Sequence, residues 1–257
     1  MKGIVLVTAL LAAPATWGAA APAPVALDHV WIMVSPGASE RKALVDHGFT
    51  IARAENRHEG QGTASITAEF QNGYLELIWL DETVPVSPGM EVAVDKFRRR
   101  MQWRSTGWSP IGVGLHRTAS TDEPLPWAIW KVPAAGWLKE GSNIEMLTPR
   151  EKGSAPSVFV SPRYLYVDER RNLEIIRAGG ADAADFKHAN GTRRMSAVKV
   201  FAPSVEALEG PPTQDLDRMN VVRFATGKNW LLQLTLDEHA QGKRADLQPT
   251  LPLVIEY

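Results

Sequence analysis

Two titratable residues, His29 and Glu76, stand in apolar segments whose alternation predicts β-strands, LDHVWIMV and YLELIWL. Because side chains alternate between the faces of a strand, His29 shares a face with Trp31, and Glu76 shares one with Tyr74. An imidazole and a carboxylate on adjacent inward faces could bind Fe, Mn, Zn or Ni, provided that at least one more ligand joins them. The structural alternative stays open: His29 is a core histidine, and Glu76 pairs with it or with an arginine.

A glycine-rich stretch, HEGQGT, precedes the third predicted strand and holds a third candidate, His58. Histidine titrates near neutral pH, so His58 could contact substrate or shuttle a proton. Gly60 and Gly62 would let backbone N–H groups approach a ligand oxygen, with Thr63 beside them. An exposed loop histidine is the alternative.

The elements that position these residues follow the order strand, helix, strand, strand, strand. Their predicted ranges are 27–34, 39–47, 49–53, 63–70 and 74–80. A looser copy follows, with strands at 111–117, within 126–132 and at 143–147. It places Glu145 of NIEML in the position that Glu76 has in YLELI. A third copy has a strand at 195–201 and a predicted hairpin across 227–229.

The first copy resembles the vicinal oxygen chelate superfamily, and more closely its glyoxalase-like branch. The resemblance rests on LDHV in the first strand, the HEGQGT stretch and NGYLEL at the fourth strand. It implies an α+β fold in which repeated βαβββ modules form curved mixed sheets around a cavity. The predicted organisation is a secretory signal peptide over 1–21, a paired βαβββ domain over 25–178, and an additional half-module over 186–257 that packs on the first.

The resemblance also implies a chemistry. In metal-dependent members, His and Glu on the first and last strands of the modules hold a divalent ion, which binds two neighbouring oxygens of the substrate. Carried onto this chain, the metal ligands are His29, Glu76 and Glu145, with His116 as a further ligand whose strand face is open. The catalytic residues are then His29, Glu76 and His58. The alternative is a metal-free protein of the same fold that binds a small molecule without chemistry.

Substrate contacts are expected from the glycine-rich stretch and from two further side chains. The full predicted set is Gly60, Gly62, Thr63, Trp31 and Arg99. Arg99 belongs to a basic run, 98–100, that is interleaved with aromatic residues and could bind a carboxylate or phosphate of a small ligand. A solvated basic helix face is the alternative.

Composition narrows the class of partner. The chain has 257 residues, with 28 Lys and Arg against 29 Asp and Glu. It lacks the excess of basic residues that would favour nucleic-acid binding, so nucleic acid is not an expected partner. It has 0 cysteines, which excludes disulfides, thiolate metal sites and cysteine nucleophiles. A small-molecule ligand is the expected partner, and a homodimer is left open.

The amino terminus predicts export. Lys2 precedes an apolar run, 4–13, and a stretch of small residues, 18–21, follows before Pro22 and Pro24. This pattern is typical of a secretory signal peptide.

 The apolar run is shorter than the roughly 20 residues that a membrane-spanning helix needs, so no stable membrane anchor is expected. The predicted location is therefore secreted or periplasmic, after removal of the signal peptide.

Overall fold

The computed structural model describes residues 23–118, 123–132, 136–149 and 152–257. The predicted signal peptide, 1–21, lies outside the described residues. The described part forms two mixed sheets, one of eight strands and one of five. None of its helices is long and apolar enough to cross a bilayer.

The first module supplies half of the larger sheet. Its elements are β1 (Val25–Met33), α1 (Arg41–Asp46), β2 (Asn56–His58), β3 (Thr63–Phe70) and β4 (Gly73–Leu80). The strands lie in the order β2-β3-β4-β1, and β1 runs parallel to β4. The βαβββ order predicted for this segment is present, but its second strand is β2 and not the predicted segment 49–53, which forms no strand.

The second module completes the sheet. Its elements, with the helices that precede them, are α2 (Glu91–Met101), α3 (Trp103–Thr106), β5 (Ile111–Arg117), β6 (Trp130–Val132), β7 (Ile144–Met146) and β8 (Ser157–Val160). β5 pairs antiparallel with β1 and parallel with β8, so the pairing of β1 with β4 is repeated. The predicted α+β fold with curved mixed sheets is confirmed.

One strand assignment is wrong. The segment 143–147 was expected to match β4, but the strand that pairs parallel with β5 is β8. β7 lies between β8 and β6 and so occupies the place of β3. Local sequence likeness misled here, because the pairing of β5 with β8 joins distant segments.

The remaining elements form the smaller sheet and the helices before it. They are α4 (Glu169–Ala178), α5 (Ala181–Ala184), β9 (Met195–Ala202), α6 (Pro211–Arg218), β10 (Arg223–Thr226), β11 (Leu231–Leu236), β12 (Arg244–Asp246) and β13 (Leu253–Glu256). Short 3₁₀ turns cover Arg163–Leu165, Glu206–Leu208 and Asp237–His239. The predicted hairpin between β10 and β11 is wrong: both strands flank β9, one parallel and one antiparallel.

Strand alternation divides the larger sheet into two faces. On β1, Val30 and Ile32 belong to a core that also contains Leu232 of the smaller sheet. Trp31 and Met33 belong to a separate cluster on the opposite face. The larger sheet thus packs one face against the rest of the protein, and its other face remains for a cavity.

His188 joins the two parts of the chain. The Thr50 N–H donates to Nδ1 of His188 at 3.0 Å, and Nε2 lies 2.9 Å from the Glu69 carbonyl oxygen. A neutral imidazole with its proton on Nε2 satisfies both contacts. Burial lowers the pKa of His188, although the Glu69 carbonyl and Asp237 act in the opposite direction.

This brace predicts a pH dependence of stability. Below the ordinary histidine pKa of 6.5, the unfolded chain binds a proton that native His188 resists, so the free energy of unfolding falls as the pH falls. His188→Gln offers an acceptor and a donor but does not titrate, and we expect it to reduce this fall. Urea unfolding of both proteins at pH 7.5 and at pH 5.5 measures it; the same fall in the two would contradict the assignment.

Candidate functional site

The free face of the larger sheet encloses a cavity of about 1250 Å³. α2 and the segment leading into α4 form the rest of its wall. His29 and Trp31 of β1 and Glu76 and Ile78 of β4 all line it. The structure therefore brings His29 and Glu76, chosen from strand alternation, to one shared cavity.

His29 is held in one orientation. Its ring stacks on Tyr74, with centroids 4.4 Å apart and planes 5° from parallel, and it meets the edge of Phe159 at 5.5 Å. Its Nδ1 lies 2.7 Å from Oδ1 of Asp28. Because an ionised carboxylate can only accept, Nδ1 carries the proton and Nε2 is the basic nitrogen.

The side chain of Asp28 can contact that of the adjacent residue His29 because β1 is irregular at this point. The register between β1 and β5 shifts between Leu27 and His29, so the strand does not alternate regularly there. Oδ2 of Asp28 accepts the Val167 N–H at 2.8 Å and lies 3.5 Å from Nδ1 of His116. One carboxylate thus contacts two imidazoles and the chain that leads into α4.

Asp28 is 0% exposed, so its charge depends on these contacts. Burial alone would raise the pKa of Asp28, but His116, His29 and the Val167 N–H outweigh burial and lower the pKa to about 2. Asp28 is therefore a buried carboxylate that stays ionised at neutral pH. His116 lines the cavity, so its side chain lies on the inward face of β5.

His58 and Glu76 form a second pair on the cavity wall. Nε2 of His58 lies 3.8 Å from Oε1 of Glu76, and Nδ1 lies 2.8 Å from the Thr63 hydroxyl. The same hydroxyl accepts from Nε2 of Gln61 at 2.8 Å. Burial lowers the pKa of His58, Glu76 raises it and His29 lowers it. Burial therefore favours the neutral form of His58.

The glycine-rich stretch shapes the wall. Gly60 and Gly62 both have positive φ, and the Gly60 N–H donates to the Pro85 carbonyl oxygen at 2.8 Å. That N–H is thus used within the protein, contrary to the expected ligand contact. A Cβ on Gly62 would lie 2.6 Å from a Val86 methyl group. Thr63 is fully buried, and its hydroxyl group contacts His58 instead of lining the cavity.

The basic run meets the cavity through a residue other than the one predicted. Arg99 is exposed and pairs with Asp95 at 2.9 Å, so the expected substrate contact from Arg99 is wrong. Arg100 lines the cavity and is only 5% exposed. Trp31, the other predicted contact, does line the cavity.

Glu145 lies away from the cavity. Its neighbours on β7, Ile144 and Met146, line the cavity, and Glu145 pairs with Arg117 at 2.7 Å. The expectation that Glu145 is a metal ligand is therefore wrong. Its apparent match to Glu76 came from the strand assignment corrected above.

A family model described as a glyoxalase-like domain matches residues 27–211. The chain belongs to this glyoxalase-like family. The family is part of the vicinal oxygen chelate superfamily, as the first copy of the repeat suggested. The glyoxalase-like chain is also similar to a solved structure of a hypothetical protein from Staphylococcus aureus. The two sequences are 8% identical, the match covers 90% of this chain and 98% of that chain, and the TM-score is 0.46. No protein of curated function matches it significantly.

The described residues of the glyoxalase-like cavity do not form the donor set that a divalent ion needs. Within the described ranges, no three His, Asp or Glu side chains lie close enough together to bind one ion. In the second module the cavity is lined by His116 of β5 and by Ser157 and Phe159 of β8, so β5 and β8 add one imidazole and no carboxylate. The predicted set of His29, Glu76, Glu145 and His116 is therefore not assembled, and no step below depends on a metal.

The two glycines of β5 make room for the site. A Cβ on Gly114 would lie 2.2 Å from Cε1 of His29, and one on Gly112 would lie 1.9 Å from Cε2 of Trp31. Such distances exclude a methyl group unless the opposing ring moves. The rings of His29 and Trp31 thus pack directly against the glycine backbone of β5.

Gly114→Ala is expected to lower the free energy of unfolding by about 1–3 kcal/mol, because the added methyl group displaces the His29 ring. A double-mutant cycle with His29→Ala measures the cause: the double variant should lose less stability than the sum of the two single variants. Additive losses would show that the methyl group meets something other than the imidazole.

Proposed function

We propose that the protein is an enzyme that binds a small oxygenated molecule with an aromatic or apolar part and transfers protons on it by acid–base catalysis. The observation that carries this proposal is the contact between buried Asp28 and Nδ1 of His29. The carboxylate holds the imidazole in one tautomer, with Nε2 as the base and with the cavity beside it.

His58 and Glu76 supply a second proton-transfer group. The two side chains are buried together on the same wall, and Thr63 orients the ring of His58. A base and a separate acid on one cavity wall are what removal of a proton at one atom and its return at another require. Glu76 is the expected proton acceptor for a bound hydroxyl group, or the donor to it once protonated.

The cavity wall supports an aromatic or apolar part in the ligand. Trp31, Phe97, Trp130 and Met146 line it, and His29, His58 and Glu76 line it on the module-one side. Aromatic walls with a few convergent polar groups are typical of small-molecule sites. The same wall would also suit a protein that only binds its ligand, so the test must separate binding from conversion.

The test starts from a thermal-shift screen of small oxygenated aromatic compounds against the full chain. Each compound that stabilises the protein is then incubated with it in D₂O, and deuterium incorporation or product is followed by NMR. We expect exchange or conversion of at least one such compound, and a decrease of about 100- to 10,000-fold in Glu76→Gln.

Glu82→Gln, at an exposed turn position, is the matched control and should keep the wild-type rate. Compounds that stabilise the protein but show neither exchange nor conversion would contradict catalysis. They would establish the binding protein instead.

We also propose that the protein acts outside the cytoplasm, since the sequence of residues 1–21 is typical of a secretory signal peptide. Expression of the full chain in a bacterium, followed by fractionation and amino-terminal sequencing, tests this. We expect a periplasmic protein that begins at Pro22. A cytoplasmic protein that retains residues 1–21 would contradict export.

A further inference from the structure

Arg100 is a buried cation whose direct partners are all neutral. Nη1 donates to the Ser109 carbonyl oxygen at 2.6 Å, and Nη2 donates to those of Gly153 and Ala155 at 2.9 and 2.8 Å. These bonds use three of the five guanidinium N–H groups. The N–H on Nε and the second one on Nη1 have no acceptor in the described part of the chain.

No carboxylate balances this charge. None lies within 4 Å of the guanidinium among the described residues, although neighbouring Arg98 and Arg99 both pair with Asp95. Burial lowers the pKa of Arg100 to about 10, which still leaves it charged at neutral pH. A buried cation without a counter-charge is unfavourable, and an anion that enters the cavity would supply the missing partner.

The surroundings of Arg100 suit an aromatic group beside that anion. The guanidinium carbon lies 5.9 Å from the centre of the Trp31 ring. Phe97 meets the same indole edge-on at 6.5 Å, and Nζ of Lys96 lies 5.2 Å from the centre of the Trp130 ring. All of these residues line the cavity. A ligand ring could therefore lie against aromatic walls while its anionic group meets Arg100.

Carboxylates lie on the other side of Trp31. Trp31 pairs with Glu76 of β4 on one side and with Gly112 of β5 on the other. Arg100 lies on the β5 side. Asp28 and Glu76 repel an anion from the module-one side. Trp31 thus lies between the carboxylate of Glu76 and the guanidinium of Arg100, and this arrangement would orient a ligand that has one anionic end.

We propose that Arg100 is the specificity residue of the cavity and selects aromatic molecules that carry a carboxylate or phosphate group. The inference rests on the proposed function for the identity of the cavity, but it concerns binding and not turnover. The ligand's anionic group bonds to the free guanidinium N–H groups, and its ring lies against Trp31. Its other end then lies beside His29 and Glu76.

A ligand series on the unmodified full chain tests this directly. The probes are 2-naphthoate, 2-naphthyl phosphate and 2-naphthamide, which share a ring system and differ in charge. Calorimetry at pH 7 should show that at least one anion binds about 10- to 100-fold more tightly than the amide, as expected of charge-assisted hydrogen bonds. The tighter of the two anions identifies carboxylate or phosphate as the preferred group. Affinity for the amide equal to or above that for both anions would overturn the proposal.

Arg100→Lys keeps the charge but loses the planar fork of N–H groups, and we expect it to lose most of the preference for the anion. Arg99→Lys is the matched control on the same helix and should keep that preference. An unchanged preference in Arg100→Lys would overturn the assignment to Arg100. The ligand series needs no substitution, so an affinity for the amide equal to or above that for both anions overturns the proposal even if Arg100→Lys fails to fold. Loss of turnover with retained anion preference would refute the proposed function alone.

Discussion

Replacing Asp28 with asparagine is expected to lower turnover by about a thousandfold to ten-thousandfold, with ligand binding largely kept. The Val167 N–H points at one oxygen of residue 28, so it would hold the carbonyl oxygen of the asparagine there. The amide NH₂ then faces Nδ1 of His29, which must accept instead of donating. The proton moves to Nε2, and the cavity loses its base.

The measurement is the rate of deuterium exchange or conversion for a compound that the wild-type protein turns over. Asp182→Asn is the control, because Asp182 is an exposed carboxylate of α5 remote from His29. Calorimetry with the same compound separates loss of catalysis from loss of binding. A rate in Asp28→Asn within about tenfold of wild type would show that the tautomer of His29 does not matter.

Replacing Arg100 with methionine is expected to lower the free energy of unfolding by about 3 kcal/mol, because three carbonyl oxygens lose their donor together. For a chain of this size, such a change corresponds to a decrease in melting temperature of roughly 6–12 °C. The guanidinium connects the chain segments of Ser109 and Gly153 to α2.

Arg99→Met removes an exposed arginine of the same helix, which pairs with Asp95 and lies over the Trp108 ring. It should change the free energy of unfolding by no more than about 0.5 kcal/mol. Urea unfolding of both variants tests the contrast. Equal losses in the two would mean that the carbonyl contacts of Arg100 contribute nothing specific.

Local patterns placed most strands of the first module. Alternation puts His29 and Glu76 each on one face of its own strand, and the resemblance to the vicinal oxygen chelate superfamily implies that these first and last strands of a module border one cavity. The structure has both strands and both side chains on the cavity wall. Alternation needs only neighbouring residues, whereas the pairing of β1 with β4 joins distant segments and came from the resemblance.

The second module shows where such patterns fail. NIEML resembles YLELI, yet β8 and not β7 pairs with β5. The choice of partner depends on contacts between segments that are far apart in the chain. The incorrect assignment of Glu145 as a metal ligand follows from this wrong choice of strand, and so does the failure of the predicted metal set.

Two residues of the site needed the coordinates for different reasons. Regular alternation puts Asp28 and His29 on opposite faces, and nothing in the sequence marks the register shift beside Leu27. Arg100 carries a signal that could have been used: it lies three and four residues after Phe97 and Lys96, on one helix face. Helical phase distinguishes Arg100 from Arg99, which composition alone does not.

The central claim is that buried Asp28 fixes the tautomer of His29, and ¹⁵N NMR of the imidazole nitrogens tests it without knowledge of a substrate. In the neutral imidazole of His29 the spectrum should show the proton on Nδ1 and a bare Nε2, and Asp28→Asn should reverse this pattern. A wild-type His29 with its proton on Nε2, or a pattern that Asp28→Asn leaves unchanged, would contradict the account.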